Sequence, residues 1–198
     1  YVSGTIMNVG VVGADVSFIN TQTGSSNTNA YVGIIAGYLG NNSTPAAKIL
    51  NSFATGSAYA QTAAGSSTTV LCCAGGLTGY VYSGEIRNSY ASATVTNGGS
   101  FSSQYSGYGG VVGQIRSGET FANVSWNNEL TTYGAASSSS AVTGLTGKTT
   151  ATLKSTDYLA DLNSAAADQT GWLEWMADTT TALNGGYPLH LRQVNVIV

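Results

Sequence analysis

The chain has 198 residues, 26 of them Gly and only 2 Pro, and charged residues amount to 8% against about 25% in an average domain. Disorder is excluded because hydrophobic residues reach 42%, recur at regular places and accompany a net charge of only -3. Six scattered Lys and Arg form no basic stripe, which argues against nucleic acid as a partner, and no run of about 18 apolar residues exists to span a membrane.

The chain opens at Tyr1 inside a strand-like pattern, as a processed or excised piece would. Four segments then align without gaps on an Ile-x-Asn core: GTIMNVGVVGADV from Gly4, AKILNSFATGSAY from Ala47, GEIRNSYASATV from Gly84 and ETFANVSWNNE from Glu119. They set up an apolar column (Ile6, Ile49, Ile86, Phe121) and an amide column (Asn8, Asn51, Asn88, Asn123). The last three are each preceded by a second element: YVGIIAGYLG from Tyr31, AGGLTGYVYSG from Ala74 and YGGVVGQIRSG from Tyr108. The first segment lacks it. The intervals of roughly 35 to 43 residues are those of stacked arrays. The central copy, from Ala74 to Val95, reads as two short strands around a Ser83-Gly84 turn. A hairpin that small is not stable alone, so copies must stack and bury one continuous apolar column. Asn suits a turn because it tolerates the left-handed region, and stacked Asn residues can also hydrogen-bond as a ladder.

Cys72 and Cys73 are the only cysteines. Neighbours on a strand face opposite ways, which predicts one buried and one exposed thiol; a Cys72–Cys73 disulfide, or a link to a neighbouring subunit, is the alternative. Two Cys and His190 cannot fill a tetrahedral zinc site, so no metal and no cofactor is expected.

Polar stretches from Asn20, Gln61 and Asn97 read as loops between repeats, and GAASSSSAVT from Gly134 as a linker. Beyond it, Ser155 or Thr156 caps a short helix with Asp157 in its first turn and Leu159, Leu162 and Ala166 on its apolar face. GWLEWMAD (Trp172, Trp175) and NGGYPLHL (Tyr187-Pro188) complete a compact cap over the last repeat, and HLRQVNVIV forms a terminal strand. The expected fold is all-β: a β-solenoid, or β-helix, of about four stacked repeats over 1–133, with linker and small C-terminal α/β cap over 134–198. A β-sandwich is the alternative.

The strings GGLTGYVYSGEIRNSYASATV and GIIAGYLGNNSTPAAKILNSFATGSA resemble the GLUG repeat, roughly GGLVGxNxGxIxNSYATGxV. The tail resembles the usual end of such arrays in Asn123–Asn127, Gly144-Leu145-Thr146, Gly171-Trp172 and Gly186-Tyr187-Pro188. The Cys72-Cys73 pair and the bare N-terminus depart from it. The resemblance implies a bacterial cell-surface or secreted protein of adhesin-like type, with no shared catalytic residues.

Chemistry-bearing residues are few. Glu85 and Glu119, on consecutive repeats, could in principle form a glycosidase pair, but they are offset by one position and lie near Arg87 and Arg116, which predicts exposed ion pairs. Asp157 and Asp161 read as a solvated helix face, and His190 has no recognisable nucleophile. Of the 12 Tyr residues, Tyr80, Tyr82, Tyr105 and Tyr108 are the candidate ligand contacts. The functional expectation is a non-catalytic structural or adhesive surface module. Its partners would be copies of itself, or a glycan or protein of the host or cell surface. A carbohydrate-binding adhesin module is the second reading and a glycan-active enzyme the third. For self-assembly, the tail valines Val194, Val196 and Val198 of one copy would complete the open edge near Tyr1 and Ile6 of the next, head to tail, giving a filament.

Overall fold

The computed structural model describes residues 1–21, 29–41, 47–63, 70–98, 107–116, 119–136 and 142–190. Tyr105, Val194, Val196 and Val198, and most of the loops expected after Asn20, Gln61 and Asn97, lie outside these residues.

Strand dominates. The first repeat supplies β1 (Thr5–Met7) and β2 (Gly10–Asn20). The second supplies β3 (Ala30–Gly33), β4 (Ala36–Leu39), β5 (Ala47–Leu50) and β6 (Phe53–Thr62). The third gives β7 (Cys72–Gly75), β8 (Thr78–Val81) and β9 (Gly84–Gly98); the fourth gives β10 (Gly107–Gly109), β11 (Val112–Ile115) and β12 (Glu119–Asn127). β13 (Leu145–Lys148), α1 (Thr150–Leu153), α2 (Thr156–Ala166), β14 (Trp175–Met176) and β15 (Leu189–His190) follow.

Consecutive strands of one repeat do not pair with each other, as a hairpin would require. Each strand pairs in parallel with its counterpart in the next repeat. The result is three parallel ladders: one of seven strands, β1-β5-β9-β12-β13 with β2 and β6 alongside, and two of three, β10-β7-β3 and β11-β8-β4. Among the described residues, the antiparallel pairing is that of β14 with β15. The facing antiparallel sheets of a sandwich are not what these strands make. Register follows the expected apolar column, Ile6 against Ile49, Ile49 against Ile86 and Ile86 against Phe121. Ile49 and Ile86 are fully buried in a core shared with Leu39, Leu77, Val81 and Val111.

Two corners shape the second, third and fourth repeats, and the first repeat has one of them. Gly33, Gly75 and Gly109 stand in register where the two three-stranded ladders meet. A Cβ at Gly75 would collide with the Thr78 carbonyl, so only Gly admits this turn. The second corner is the Asn column. Asn8, Asn51, Asn88 and Asn123 all have positive φ, at 59, 47, 45 and 52 degrees. Asn is the side-chain-bearing residue that adopts this region most readily, which is why it recurs here. Gly144, with φ +85, precedes the Val124–Leu145 pair as Asn123 does, so β13 carries the ladder on past position 133 to Lys148.

The C-terminal segment differs from the expected cap over the last repeat. It lies along the side of the ladder and reaches the first, second and third repeats through Asn8, Asn51 and Asn88. Beyond the Asn corner, Phe53 and Tyr90 face outward from the main core. They are buried in a second cluster with Leu153, Tyr158, Leu162, Trp175 and Leu189. Covering these rings removes their apolar area from water, which favours the lateral position. Ser155 is the helix cap, its Oγ accepting from the Tyr158 amide at 3.1 Å.

Candidate functional site

Five tyrosines, Tyr1, Tyr31, Tyr38, Tyr80 and Tyr82, gather along the β4-β8 ladder. Tyr38 stands in register with Tyr80, their rings 5.1 Å apart and 20° from parallel. Tyr1 stacks on Tyr38 at 5.6 Å, and Tyr31 packs against both Tyr38 and Tyr80 at 5.3 Å. Arg116 lies 4.3 Å over the Tyr82 ring. Tyr38 and Tyr80 spend their faces on neighbouring rings, while Tyr1 stays exposed. Tyr80 is only 5% exposed, which removes it as a ligand contact; Tyr82 is half-buried under Arg116, and Tyr108 is exposed. Burial pushes the hydroxyl pKa of Tyr38 and Tyr80 up.

Cys72 and Cys73 are not joined in a disulfide, and both are buried. Neither the disulfide nor the exposed thiol is found. They do face opposite ways, but both sides are covered: Cys72 points toward the Ala60 carbonyl at 3.4 Å, while Cys73 stands in register between Tyr31 and Gly107. Burial raises both thiol pKa values, which makes them poor nucleophiles.

The acidic pair does not converge. Glu85 is in register with Thr120 and Glu119 with Gly84, so the two carboxylates leave opposite faces of the pleat. Glu85 bridges to Lys48 at 2.8 Å and to Arg87. Arg116 is engaged by Tyr82.

The amide column is the most ordered polar feature. Asn51 donates to Asn8 at 2.7 Å, Asn88 to Asn51 at 2.8 Å and Asn123 to Asn88 at 2.7 Å. Second donors reach the C-terminal segment: Asn8 to the Gly171 carbonyl, Asn51 to Leu173 and Asn88 to Leu162, at 2.8, 2.9 and 3.0 Å. Trp175 Nε1 donates back to Asn51 Oδ1 at 2.6 Å, and the Leu173 amide to Asn8 Oδ1 at 3.0 Å. The row is therefore both turn and ladder, and it docks the appendage. The docking partners are 122 residues apart in the case of Asn51 and Leu173, a separation no sequence signal spans. Beside it, His190 is fully buried, 4.1 Å from the Trp175 ring centroid. Loss of solvent pushes its pKa down to about 4, against the opposing pull of backbone hydrogen bonds with Asn51 and Glu174.

Where the row ends, a cleft opens between the ladder and the loop after α2. One lobe, of about 390 Å³, is lined by Asn163, Ala166, Ala167, Gln169, Trp172 and Glu174. The other, of about 160 Å³, is lined by Gln169 and Trp172 again, together with Arg87, Asn123 and their neighbours. No sequence motif marked this place: Arg87 and Asn123 come from the repeats, Gln169 and Trp172 from the appendage.

Residues 71–96, which span β7, β8 and most of β9, match the family model of the GLUG motif. The chain carries a GLUG motif. One such motif is one repeat of the ladder, with its αL residue at Asn88, and the GLUG motif is a surface-protein-type repeat. No curated protein and no solved structure matches the chain. Among the described residues, no helix is long and apolar enough to cross a membrane.

Proposed function

We propose that the chain is a non-catalytic, extracellular structural module of a bacterial surface protein, built as a β-solenoid of GLUG repeats. The parallel, in-register pairing that runs from Thr5 to Lys148 carries this reading. It is the arrangement in which each repeat is one coil and every coil buries its neighbour's apolar column. The side chains offered for chemistry are occupied structurally: Glu85 in ion pairs, His190 under Trp175, Tyr80 in the ring stack. The test is to insert a second copy of residues 71–106 and compare the two chains by small-angle scattering. One added coil should lengthen the particle by about 4.8 Å without loss of strand content. An inserted copy that unfolds, or adds no length, overturns the solenoid. Turnover of a polysaccharide or peptide by the purified chain, lost in Glu85→Gln, would overturn the non-catalytic reading.

Head-to-tail self-assembly is a second reading, favoured by the outer edge of the first repeat. β2 pairs with β6 along one side, and Val12, Phe18 and Ile19 are about half exposed. A strand edge of that kind accepts a further strand. The bulge between Val11 and Ala14 confines it to the stretch from Asp15 to Asn20. Sedimentation over rising concentration should show oligomers, and removal of the residues after Leu191 should abolish them. A monomer at all concentrations, or unchanged assembly of the truncated chain, ends this reading.

A further inference from the structure

We propose that the two-lobed cleft at the end of the amide row is a binding site for a neutral saccharide. The proposal does not rest on the solenoid reading or on self-assembly; it rests on how the amide row terminates and on what surrounds that end.

Along the row, each side-chain carbonyl accepts from the amide of the next repeat. The rule fails at Asn123. The residue next in the row is Gly144, just before β13, which keeps the left-handed backbone but has no side-chain amide to donate. Asn123 Oδ1 is thus left at an exposed position while its Nδ2 is fixed on Asn88 at 2.7 Å. An acceptor held by its own donor is preorganised, so a ligand hydroxyl meets it without loss of rotamer freedom. Gln169, exposed on the loop after α2, adds a donor and an acceptor to the same cleft. Between the lobes stands Trp172, half-buried against the second core, so that its indole is held by packing.

The chemistry selects the ligand class. A held indole is an amphipathic platform for an apolar sugar face, and the Gln169 and Asn123 amides that line the cleft with it pair with hydroxyls, which both donate and accept. Arg87 lines one lobe and Glu174 the other, so the cleft carries one charge of each sign and selects no ion. Arg87 is in addition paired with Glu85. The larger lobe, about 390 Å³, falls within the range of small-molecule sites. In the tyrosine stack Tyr80 is buried and Tyr38 is stacked on both Tyr1 and Tyr80, which leaves Tyr1 as the exposed ring.

The test is an array of neutral and anionic glycans probed with the whole chain, followed by titration of the best neutral ligand with tryptophan fluorescence as the readout. Wild type should bind a neutral oligosaccharide. Gln169→Ala and Asn123→Gly should each weaken it about tenfold, the loss of roughly one hydrogen bond. Asn123→Gly copies the residue of the next strand and keeps the backbone conformation. Trp172→Ala should abolish binding; if its melting temperature falls, the exposed Gln169→Ala variant decides. Absence of any neutral ligand on the array, binding confined to anionic glycans, or undiminished affinity in Gln169→Ala and Asn123→Gly overturns the proposal.

Discussion

The amide row and the tyrosine stack are both columns of like side chains raised by parallel register, and they differ in what remains for a ligand. In the amide row each side chain has a donor and an acceptor, so neighbours satisfy one of each and a second donor is left to fix another segment of chain. Asn8, Asn51 and Asn88 use it to hold the C-terminal appendage. In the tyrosine stack the useful surface is the ring face, and Tyr38 loses both of its faces, to Tyr1 and to Tyr80. Regular columns consume their own chemistry, and free groups are found where a column stops. The same contrast separates stability from recognition in this chain.

The largest test of the amide row is Asn88→Ala. It removes bonds to Asn51 and Leu162 and the bond from Asn123, and it places a Cβ residue without a compensating side chain in the left-handed region. The expected loss is about 4 kcal/mol in denaturant unfolding. Asn88→Gly should recover about 1 kcal/mol of it by relieving the backbone alone. Equal losses for the two variants would mean that φ at this corner costs nothing.

Protonation probes the appendage that the row holds. Folded His190 has its pKa pushed down to about 4, below the ordinary 6.5. Between those values the unfolded chain takes up a proton that the folded chain refuses. The stability is therefore complete above about pH 6.5 and is lost as pH falls toward 4, by up to about 3 kcal/mol. His190→Phe, which keeps a ring against Trp175, should flatten this part of the pH–stability curve. A curve unchanged in that variant would assign the dependence to other groups.

The tyrosine stack is expected to matter less. Tyr38→Ala forfeits ring contacts with Tyr1, Tyr31 and Tyr80 and should cost about 2 kcal/mol, visible as a lower denaturation midpoint with binding at the Trp172 cleft intact. Loss of glycan binding in that variant would move the ligand surface back to the tyrosines. Smallest of all is Lys48→Ala. The Lys48 side chain is 43% exposed, so its bridge to Glu85 should be worth under about 1 kcal/mol and should fade as salt is raised.

Much of this architecture is legible in the sequence because it is translational. A residue that is right for one rung of a parallel ladder is right for the rungs above and below it. Ile6, Ile49, Ile86 and Phe121, and the four Asn residues, therefore announce both the register and the corner. The helix start at Ser155 is legible for a different reason, since a cap involves residues only three apart. What the sequence could not decide are the contacts that do not repeat. Tyr80 and Tyr82 are two apart and look alike, yet one is buried in a stack and the other lies under Arg116; only the packing of the neighbouring repeats separates them. Strand alternation predicts that one of Cys72 and Cys73 faces solvent, but both are fully buried. The GW and NGGYP segments carry no period, and nothing local says whether they cover an end or a side. Tertiary structure decided it, because the outward faces of Phe53 and Tyr90 and the second donors of the Asn row needed burial and partners, and the chain beyond Lys148 supplied both. The cleft at Trp172 exists only as the result of that choice.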